Sequence, residues 1–306
     1  MPSPRIAIGP VSPDWAAAAV RSGGGTVVEQ ADQADGLVWL SPRRPQDLAE
    51  ALAGAPSVRW VQLPLAGIEA FGRVGLFEDG RTYTCAKGLY SEPVAELALT
   101  LALAGLRDVV PAARATSWGR PSGRTLYEAA VTIVGGGGIT GALLDLLRPW
   151  RVTTTVVRQR PDPVAGATTT VGPDRLLESL GGADVVVLAL ALTPATTGLI
   201  GAAELEAMKA DAWLVNVARG PHVRTEELVK ALEAGVIGGA ALDVTDPEPL
   251  PEGHPLWSLP NCIITPHTAN TPEMSVAPLI ERITDNVARF GEGLPLAGQV
   301  DPDLGY

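Results

Sequence analysis

Three short segments, far apart in the chain, carry the side chains best suited to acid–base chemistry. They are Leu214-Val215-Asn216-Val217-Ala218-Arg219-Gly220, Ala241-Leu242-Asp243-Val244-Thr245-Asp246-Pro247-Glu248-Pro249-Leu250-Pro251 and Ile264-Thr265-Pro266-His267-Thr268-Ala269. Together they supply an arginine, a glutamate and one of only three histidines. A guanidinium clamps a carboxylate through two parallel hydrogen bonds. An imidazole passes a proton near neutral pH, and a neighbouring carboxylate fixes its tautomer. Each segment ends a predicted strand, and open α/β sheets bind ligands beyond the carboxyl ends of their strands. Taken singly, Arg219 also fits a structural anion partner, Glu248 a turn carboxylate beside proline, and His267 a hydrogen-bonded core histidine. The order and strand-end placement of all three favour catalysis. His222 and His254 read as loop histidines without a chemical role.

A fourth segment suits phosphate. Val131-Thr132-Ile133-Val134 runs into Gly135-Gly136-Gly137-Gly138-Ile139-Thr140-Gly141, then ALLDLL. Glycines at a strand-to-helix turn let the backbone approach a pyrophosphate, and the helix N-terminus offers N–H groups and a positive dipole end. Two registers of G-x-G-x-x-G fit. Gly136, Gly138 and Gly141 satisfy it literally; Gly135, Gly137 and Thr140 satisfy it with the third glycine replaced. The flanking strand and helix distinguish this run from an ordinary glycine-rich turn. In NAD-binding folds an acidic residue about 20 positions on holds the ribose 2′-hydroxyl. Here the next strand ends Val156-Val157-Arg158-Gln159-Arg160-Pro161, without a carboxylate. Arg158 and Arg160 suit a 2′-phosphate, which favours NADP over NAD. Asp162, further on, keeps NAD possible.

These segments need a scaffold that aligns strand ends. Short apolar runs alternate with helical patterns throughout, which reads as parallel α/β. The first part predicts strands at 5–9, 26–29, 36–40 and 59–62, with helices at 13–21 and 45–53. A long helix at 93–107, apolar almost all round, implies burial on several sides. Residues 107–128 read as a connecting arm. From Ala129 a second block predicts strands at 131–134, 153–157, 185–190, 213–216, 240–244 and 262–265. Its helices are placed at 139–147, 174–180, 202–208 and 225–234, with a last one at 278–290. The continuous run ADVVVLALAL fits a strand covered on both faces. The 306 residues suggest two domains, and 23 basic against 34 acidic residues give a net charge of −11. Such a chain is repelled by phosphate backbones and anionic lipid, so neither nucleic acid nor a membrane is expected as partner. With 46% hydrophobic and 19% charged residues, a large core is affordable and disorder is not expected. Two cysteines fit a reducing compartment, and no metal site is expected. No signal core is visible at the N-terminus, and no apolar run approaches the roughly 18 residues of a membrane span, so a cytoplasmic location is expected.

Read together, these motifs resemble the D-isomer-specific 2-hydroxyacid dehydrogenase family. The resemblance rests on Val217-Ala218-Arg219-Gly220, Ala241-Leu242-Asp243-Val244 with Glu248-Pro249-Leu250-Pro251, and Thr265-Pro266-His267. Asn286…Arg289…Gly291, Pro295-Leu296 and Gly305-Tyr306 extend it to the end of the chain. The first ninety residues match only loosely, through VQLPLAGIEAF and the helix at Val94-Ala95-Glu96. The resemblance implies a Rossmann dinucleotide-binding domain at 94–283 plus a smaller flavodoxin-like α/β substrate domain at 1–93 and 284–306. The active site is expected in the cleft between them.

By resemblance, Arg219 binds a 2-oxo acid and polarises its carbonyl, His267 is the general acid and base, and Glu248 hydrogen-bonds His267. Asp243 meets the nicotinamide end, and Ala191, Thr193 and Pro194 run alongside the cofactor. Val217, Ala218 and Ala269 complete the expected cofactor contacts, with Gly135, Gly137, Gly138, Ile139, Thr140, Arg158, Gln159 and Arg160. Leu65-Ala66-Gly67-Ile68 is similar to the family loop whose amides hold the substrate carboxylate, so Ala66 and Gly67 join Arg219 and His267 as substrate contacts. Lys87-Gly88-Leu89-Tyr90 is placed at the edge of the same cleft. The chain departs from the family pattern at Thr140, at Arg158, at Ala191 where proline is common, and at Arg224 where aspartate is common. The implied activity is hydride transfer between NAD(P)H and a small 2-oxo acid or D-2-hydroxy acid, with glyoxylate or hydroxypyruvate leading. A relative acting on another 2-hydroxy acid and a non-catalytic NAD(P)-sensing protein are the alternatives. The apolar helix and the Trp118 arm suggest a homodimer.

Overall fold

Alternating strand and helix patterns become a continuous βα order in the computed structural model, which describes residues 3–42 and 44–301. The motif residues Gly305 and Tyr306 lie outside the described residues. The chain begins β1 (Arg5–Gly9), α1 (Asp14–Ser22), β2 (Thr26–Val28), β3 (Gly36–Trp39), α2 (Pro45–Ala53), β4 (Trp60–Gln62), α3 (Glu69–Gly72) and β5 (Thr82–Thr84). It continues α4 (Ser91–Leu106), α5 (Val109–Arg114), β6 (Ala130–Val134), α6 (Gly138–Leu147), β7 (Thr153–Val157), β8 (Thr169–Val171) and α7 (Leu176–Gly181). Then follow β9 (Val185–Leu188), α8 (Ala202–Ala207), β10 (Trp213–Asn216), α9 (Thr225–Ala234), β11 (Gly239–Leu242), β12 (Cys262–Ile264) and α10 (Pro272–Glu292).

Two compact units result, 1–90 with 271–306 and 91–270. The first holds a parallel sheet in the order β2-β1-β3-β4-β5, the flavodoxin-like arrangement. Its core gathers Leu48, Leu52, Val61, Phe71 and Tyr83 on one side of the sheet, with Trp60, Ile283 and Val287 in a second cluster. The second unit holds a parallel sheet in the order β12-β11-β10-β9-β6-β7-β8. That is the doubly wound dinucleotide-binding order with one added strand, and its switch point lies between β6 and β9. Strands β9, β10 and β11 are buried at every position, as their unbroken apolar runs require. Helix α4 packs on α6, β10 and β11. Gly105 makes that approach possible, because a methyl group there would lie 2.4 Å from the Trp213 indole.

The last helix starts six residues before the sequence pattern suggests. Proline is well tolerated in a first turn, which draws the expected start to Pro278. In the structure Thr271 caps the helix, its hydroxyl accepting the Met274 N–H at 3.4 Å, and Pro272 takes the first turn. The helix runs on through Pro278 because Leu279, Ile283 and Val287 bury a face beyond it. The motif residue Asn286 is buried on this helix. It donates to Gln62 Oε1 at 2.9 Å and exchanges two hydrogen bonds with the Ala297 backbone, at 3.0 and 2.7 Å. The three-residue strands β5 and β8 were too short to show a period and are additions to the sequence reading.

Candidate active site

Strands β10, β11 and β12 lie side by side in parallel, with Asn216 beside Leu242 and Leu242 beside Ile264. The three chemistry-bearing segments therefore leave the sheet from neighbouring strands, each roughly 4.8 Å from the next. Asn216 is the buried last residue of β10. Its side chain accepts the Ala218 N–H at 3.0 Å and donates to the Arg219 carbonyl at 2.9 Å, folding the strand exit into a tight loop. Arg219 sits on this loop, half-buried, with its guanidinium donating to the Ala218 carbonyl at 2.7 Å. Gly220 follows because a methyl group there would lie 1.9 Å from the Thr245 carbonyl oxygen. The Arg219 turn thus lies directly against the exit of β11. The strand-end motif leaves Asn216 without an assigned role; the signal for one is a polar residue closing the apolar run WLVN.

Asp243 organises the second and third exits. It is buried, and both carboxylate oxygens are engaged. Oδ1 accepts from the Thr265 hydroxyl at 2.5 Å, the Thr268 N–H at 2.8 Å and the Thr268 hydroxyl at 3.3 Å, while Oδ2 accepts the Ala269 N–H at 3.0 Å. The Asp243 carbonyl also accepts the His267 N–H at 2.9 Å. This bonding holds His267 at φ 53°, a left-handed conformation that costs a non-glycine residue about 1–2 kcal/mol. His267 Nδ1 lies 2.7 Å from Glu248 Oε1. The side chains are 49% and 42% exposed, so solvent screens the pair, which orients the ring more than it stabilises the fold. With Nδ1 committed to the carboxylate, Nε2 is the atom left to exchange a proton.

The glycine loop resolves into one register. Gly135, directly after β6, has φ 118°, and a methyl group on it would lie 2.1 Å from the Ala189 carbonyl oxygen at the end of β9. It is the tight-turn glycine. Gly137 is the N-cap of α6, with open space where a side chain would stand. Thr140 is buried and its hydroxyl donates to the Gly135 carbonyl at 2.9 Å, so threonine replaces the third glycine without disturbing the turn. Gly141 has open space around it and is not a packing position. Gly138 and Ile139 form the first turn of α6, whose N–H groups have no partner within the helix. A tight glycine turn, an uncrowded helix N-terminus and a sheet switch point together fit a dinucleotide pyrophosphate.

Arg158 is the first residue after β7, and its side chain lies over the glycine loop: a methyl group on Gly136 would come within 2.7 Å of its Cδ. Gln159, Arg160 and Asp162 are exposed. Between Ala191 and Thr196 the chain is stitched by the Thr196 hydroxyl, which donates to the Ala191 carbonyl at 2.9 Å and accepts the Thr193 N–H at 2.8 Å. Arg224 bonds the Gly198 carbonyl at 3.2 Å and pairs with Glu227 at 3.4 Å. In the first unit, Ala66 is exposed on the loop after β4, and the Leu65 carbonyl accepts the Ala86 N–H at 2.9 Å. Among the described residues no cluster of three or more His, Cys, Asp or Glu could hold a metal ion. No described helix is long and apolar enough to cross a membrane.

His222 lies in the short turn after Arg219, as a loop histidine would, and it is completely buried there, with Nδ1 2.9 Å from the Thr196 carbonyl oxygen and Nε2 3.3 Å from that of Leu190. Its place three residues after Arg219 was the signal that it belongs to the strand-end machinery. His254 accepts the Leu256 N–H at 3.3 Å and caps the short turn that follows.

A doubly wound sheet with a glycine loop that fits a pyrophosphate, carrying a histidine–carboxylate pair beyond its strand ends, is the arrangement of an NAD(P)-dependent oxidoreductase. Residues 97–269 match the family model for the NAD binding domain of D-isomer specific 2-hydroxyacid dehydrogenases. The chain belongs to that family, whose members act on small 2-hydroxy and 2-oxo acids, and its cofactor is NAD(P). A Corynebacterium melassecola relative, described as an uncharacterized protein in proB 3'region, is 40% identical over 297 residues, or 94% of this chain and 95% of that one. Among solved structures, a D-isomer specific 2-hydroxyacid dehydrogenase from Xanthobacter autotrophicus Py2 in complex with NADPH and MES superposes with a TM-score of 0.85 at 28% identity, covering 99% of this chain and 100% of that one. An NADPH-dependent glyoxylate/hydroxypyruvate reductase from Sinorhizobium meliloti, in complex with NADP and sulfate, gives a TM-score of 0.82 at 25% identity over 99% and 100% of the two chains.

Proposed function

We propose that this enzyme reduces a small 2-oxo acid, glyoxylate or hydroxypyruvate, to the 2-hydroxy acid, with NADPH preferred over NADH. The observation that carries the reading is the 2.7 Å His267–Glu248 contact, held by the buried Asp243 beside the loop that presents Arg219. Arg219 binds the substrate carboxylate and polarises the adjacent carbonyl. Backbone amides of Ala66 and Gly67 are assigned to the same carboxylate. Glu248 steadies the imidazolium form of His267, which delivers its Nε2 proton to the carbonyl oxygen and is left neutral. Bound NAD(P)H supplies the hydride that reaches the carbonyl carbon. Gly135, Gly137, Gly138, Ile139 and Thr140 are assigned to its pyrophosphate. Ala191, Thr193, Val217, Ala218, Asp243 and Ala269 are assigned to its flank.

NADPH is favoured because Arg158 follows β7 directly, over the glycine loop and with no carboxylate beside it to hold a 2′-hydroxyl. Gln159 and Arg160 complete that 2′-phosphate site. We further assign a homodimer, on the half-buried Leu97, Leu99 and Leu103 of α4 and the fully exposed Trp118. A cytoplasmic location is supported by the two free cysteines. Initial rates with a panel of 2-oxo acids test the reading. Faster turnover of glyoxylate or hydroxypyruvate with NADPH is expected, and His267→Ala should abolish it while cofactor still binds. Equal or better use of NADH overturns the cofactor preference. Tight NADPH binding without turnover of any 2-oxo acid overturns the enzyme in favour of a cofactor-sensing protein. A monomer by light scattering overturns the dimer.

A further inference from the structure

We propose that His222 is a positioning residue that locks the loop at 190–196 to the turn carrying Arg219; this rests on the reductase reading above. Its imidazole is wholly buried, with one ring nitrogen within hydrogen-bond distance of a carbonyl at each end of that loop, Leu190 and Thr196. A neutral ring has one N–H and satisfies one carbonyl, whereas the imidazolium satisfies both. The Thr196 contact, at 2.9 Å against 3.3 Å, is the stronger of the two.

The backbone around the ring repeats the connection. Gly198 N–H donates to the Pro221 carbonyl at 2.8 Å, Ile200 N–H to the His222 carbonyl at 2.9 Å, and Arg224 N–H to the Ile200 carbonyl at 2.9 Å. These contacts tie down 198–200 but leave 191–195 without a sheet partner. Inside the loop that stretch is held by the Thr196 hydroxyl and by the Thr193 carbonyl, which accepts the Thr196 and Thr197 N–H groups at 3.0 Å and the Thr197 hydroxyl at 2.9 Å; His222 bonds it from across. The loop carrying Thr193 and Ala191, assigned to the cofactor, and the turn carrying Arg219, assigned to the substrate, therefore share the His222 side chain as a bridge in addition to those backbone bonds. The loop leaves β9 and the turn leaves β10, which pair through Asn216 and Leu188. Their spacing at the strand ends is set by the sheet and at 198–200 by the backbone bonds to the turn; between those two anchors His222 is the side chain that bridges loop and turn.

Removing the ring should change geometry more than cofactor or substrate affinity. His222→Leu fills the volume with no donor, and His222→Asn keeps an amide donor toward Thr196. In the full-length enzyme, His222→Leu should lower kcat for glyoxylate by about 10- to 100-fold, with a smaller change in KM. Amide hydrogen exchange of 191–196 should accelerate while β9 and β10 stay protected. His222→Asn should recover most of both losses, which a merely space-filling role would not allow. Wild-type kcat and exchange in His222→Leu, or an asparagine variant no better than leucine, overturns the proposal. If His222→Leu does not fold, His222→Asn is compared with His222→Gln, which aims its amide toward Leu190 instead. Equal kcat and equal exchange in these two variants then refute it. A wild-type protein inactive on every 2-oxo acid refutes the reductase reading instead, and the exchange measurement still decides the role of His222.

Discussion

Replacing Asp243 with asparagine tests the device that holds His267 in place. Asparagine has the shape of aspartate, so the substitution removes charge and one acceptor without leaving a cavity. The best placement keeps the amide oxygen at Oδ1, where Thr265 and Thr268 still donate. The amide nitrogen then faces the Ala269 N–H across 3.0 Å, two donors with nothing between them. A buried hydrogen bond to a charged group contributes about 1.5–3 kcal/mol, and the stranded N–H adds a desolvation cost. Losing the negative charge also weakens the remaining bonds, so about 2–4 kcal/mol is expected. For a unit of this size each kcal/mol shifts Tm by roughly 2–4 °C, giving a fall of roughly 5–15 °C. The loop no longer pays for φ 53° at His267, and a displacement of about 1 Å there costs about 100-fold in kcat. Thr268→Val is the control: it deletes only the 3.3 Å hydroxyl contact and should cost under about 1 kcal/mol. Thermal melts and glyoxylate kinetics on the three proteins decide the matter. An asparagine variant with the parent's Tm and kcat would refute the claim that the buried carboxylate positions His267, the proposed general acid.

Further expectations follow from other parts of the molecule. Gly135→Ala forces a side chain onto a φ of 118° and into the Ala189 carbonyl, so NADPH binding measured by fluorescence titration should be lost or the fold destabilised by about 2–5 kcal/mol; unchanged affinity and Tm would contradict the assigned loop register. Asp184 is pushed up by desolvation but pulled further down by the Ala130 N–H, Lys209 and Arg124, leaving its carboxyl below the usual range. A depressed value in the folded state means stabilisation present above the unfolded pKa of about 3.9 and lost as pH falls through the folded one. The stability difference between the parent and Asp184→Asn should therefore shrink as pH is lowered below about 4 in denaturant titrations; a constant difference would exclude it. Burial pushes the Cys262 thiol up to about 12 and raises that of Cys85 as well. Neither should react with a disulfide reagent near pH 8 until the protein is unfolded in guanidinium; prompt labelling of the native enzyme would show that the cores around them open.

How much of this could be read from the residues alone differs from element to element. The βα rhythm, the buried strand VVVL and the glycine run after β6 are local patterns of hydrophobicity and turn chemistry, and they survive intact in the structure. Arg219, Glu248 and His267 were legible as candidates because each follows a strand-like run, in a characteristic order, and the structure places all three beyond the ends of neighbouring strands. Three-residue strands such as Thr82–Thr84 and Thr169–Val171 carry too few residues to show a period. The start of the last helix depended on whether Thr271 would cap it, which the string of residues leaves open.

By itself, then, the order of amino acids determined the class of fold and singled out the candidate site residues, because propensities, periodicity and motif spacing all act over neighbouring positions. Only the tertiary structure decided which glycine makes the tight turn, that Asp243 holds the His267 loop, and that the His222 ring is buried against the Thr196 and Leu190 carbonyls. Those outcomes depend on which carbonyl or amide ends up within 3 Å of a side chain some 22 to 32 residues away. That proximity is set by the register of parallel strands packed into one sheet, a property that no single segment contains.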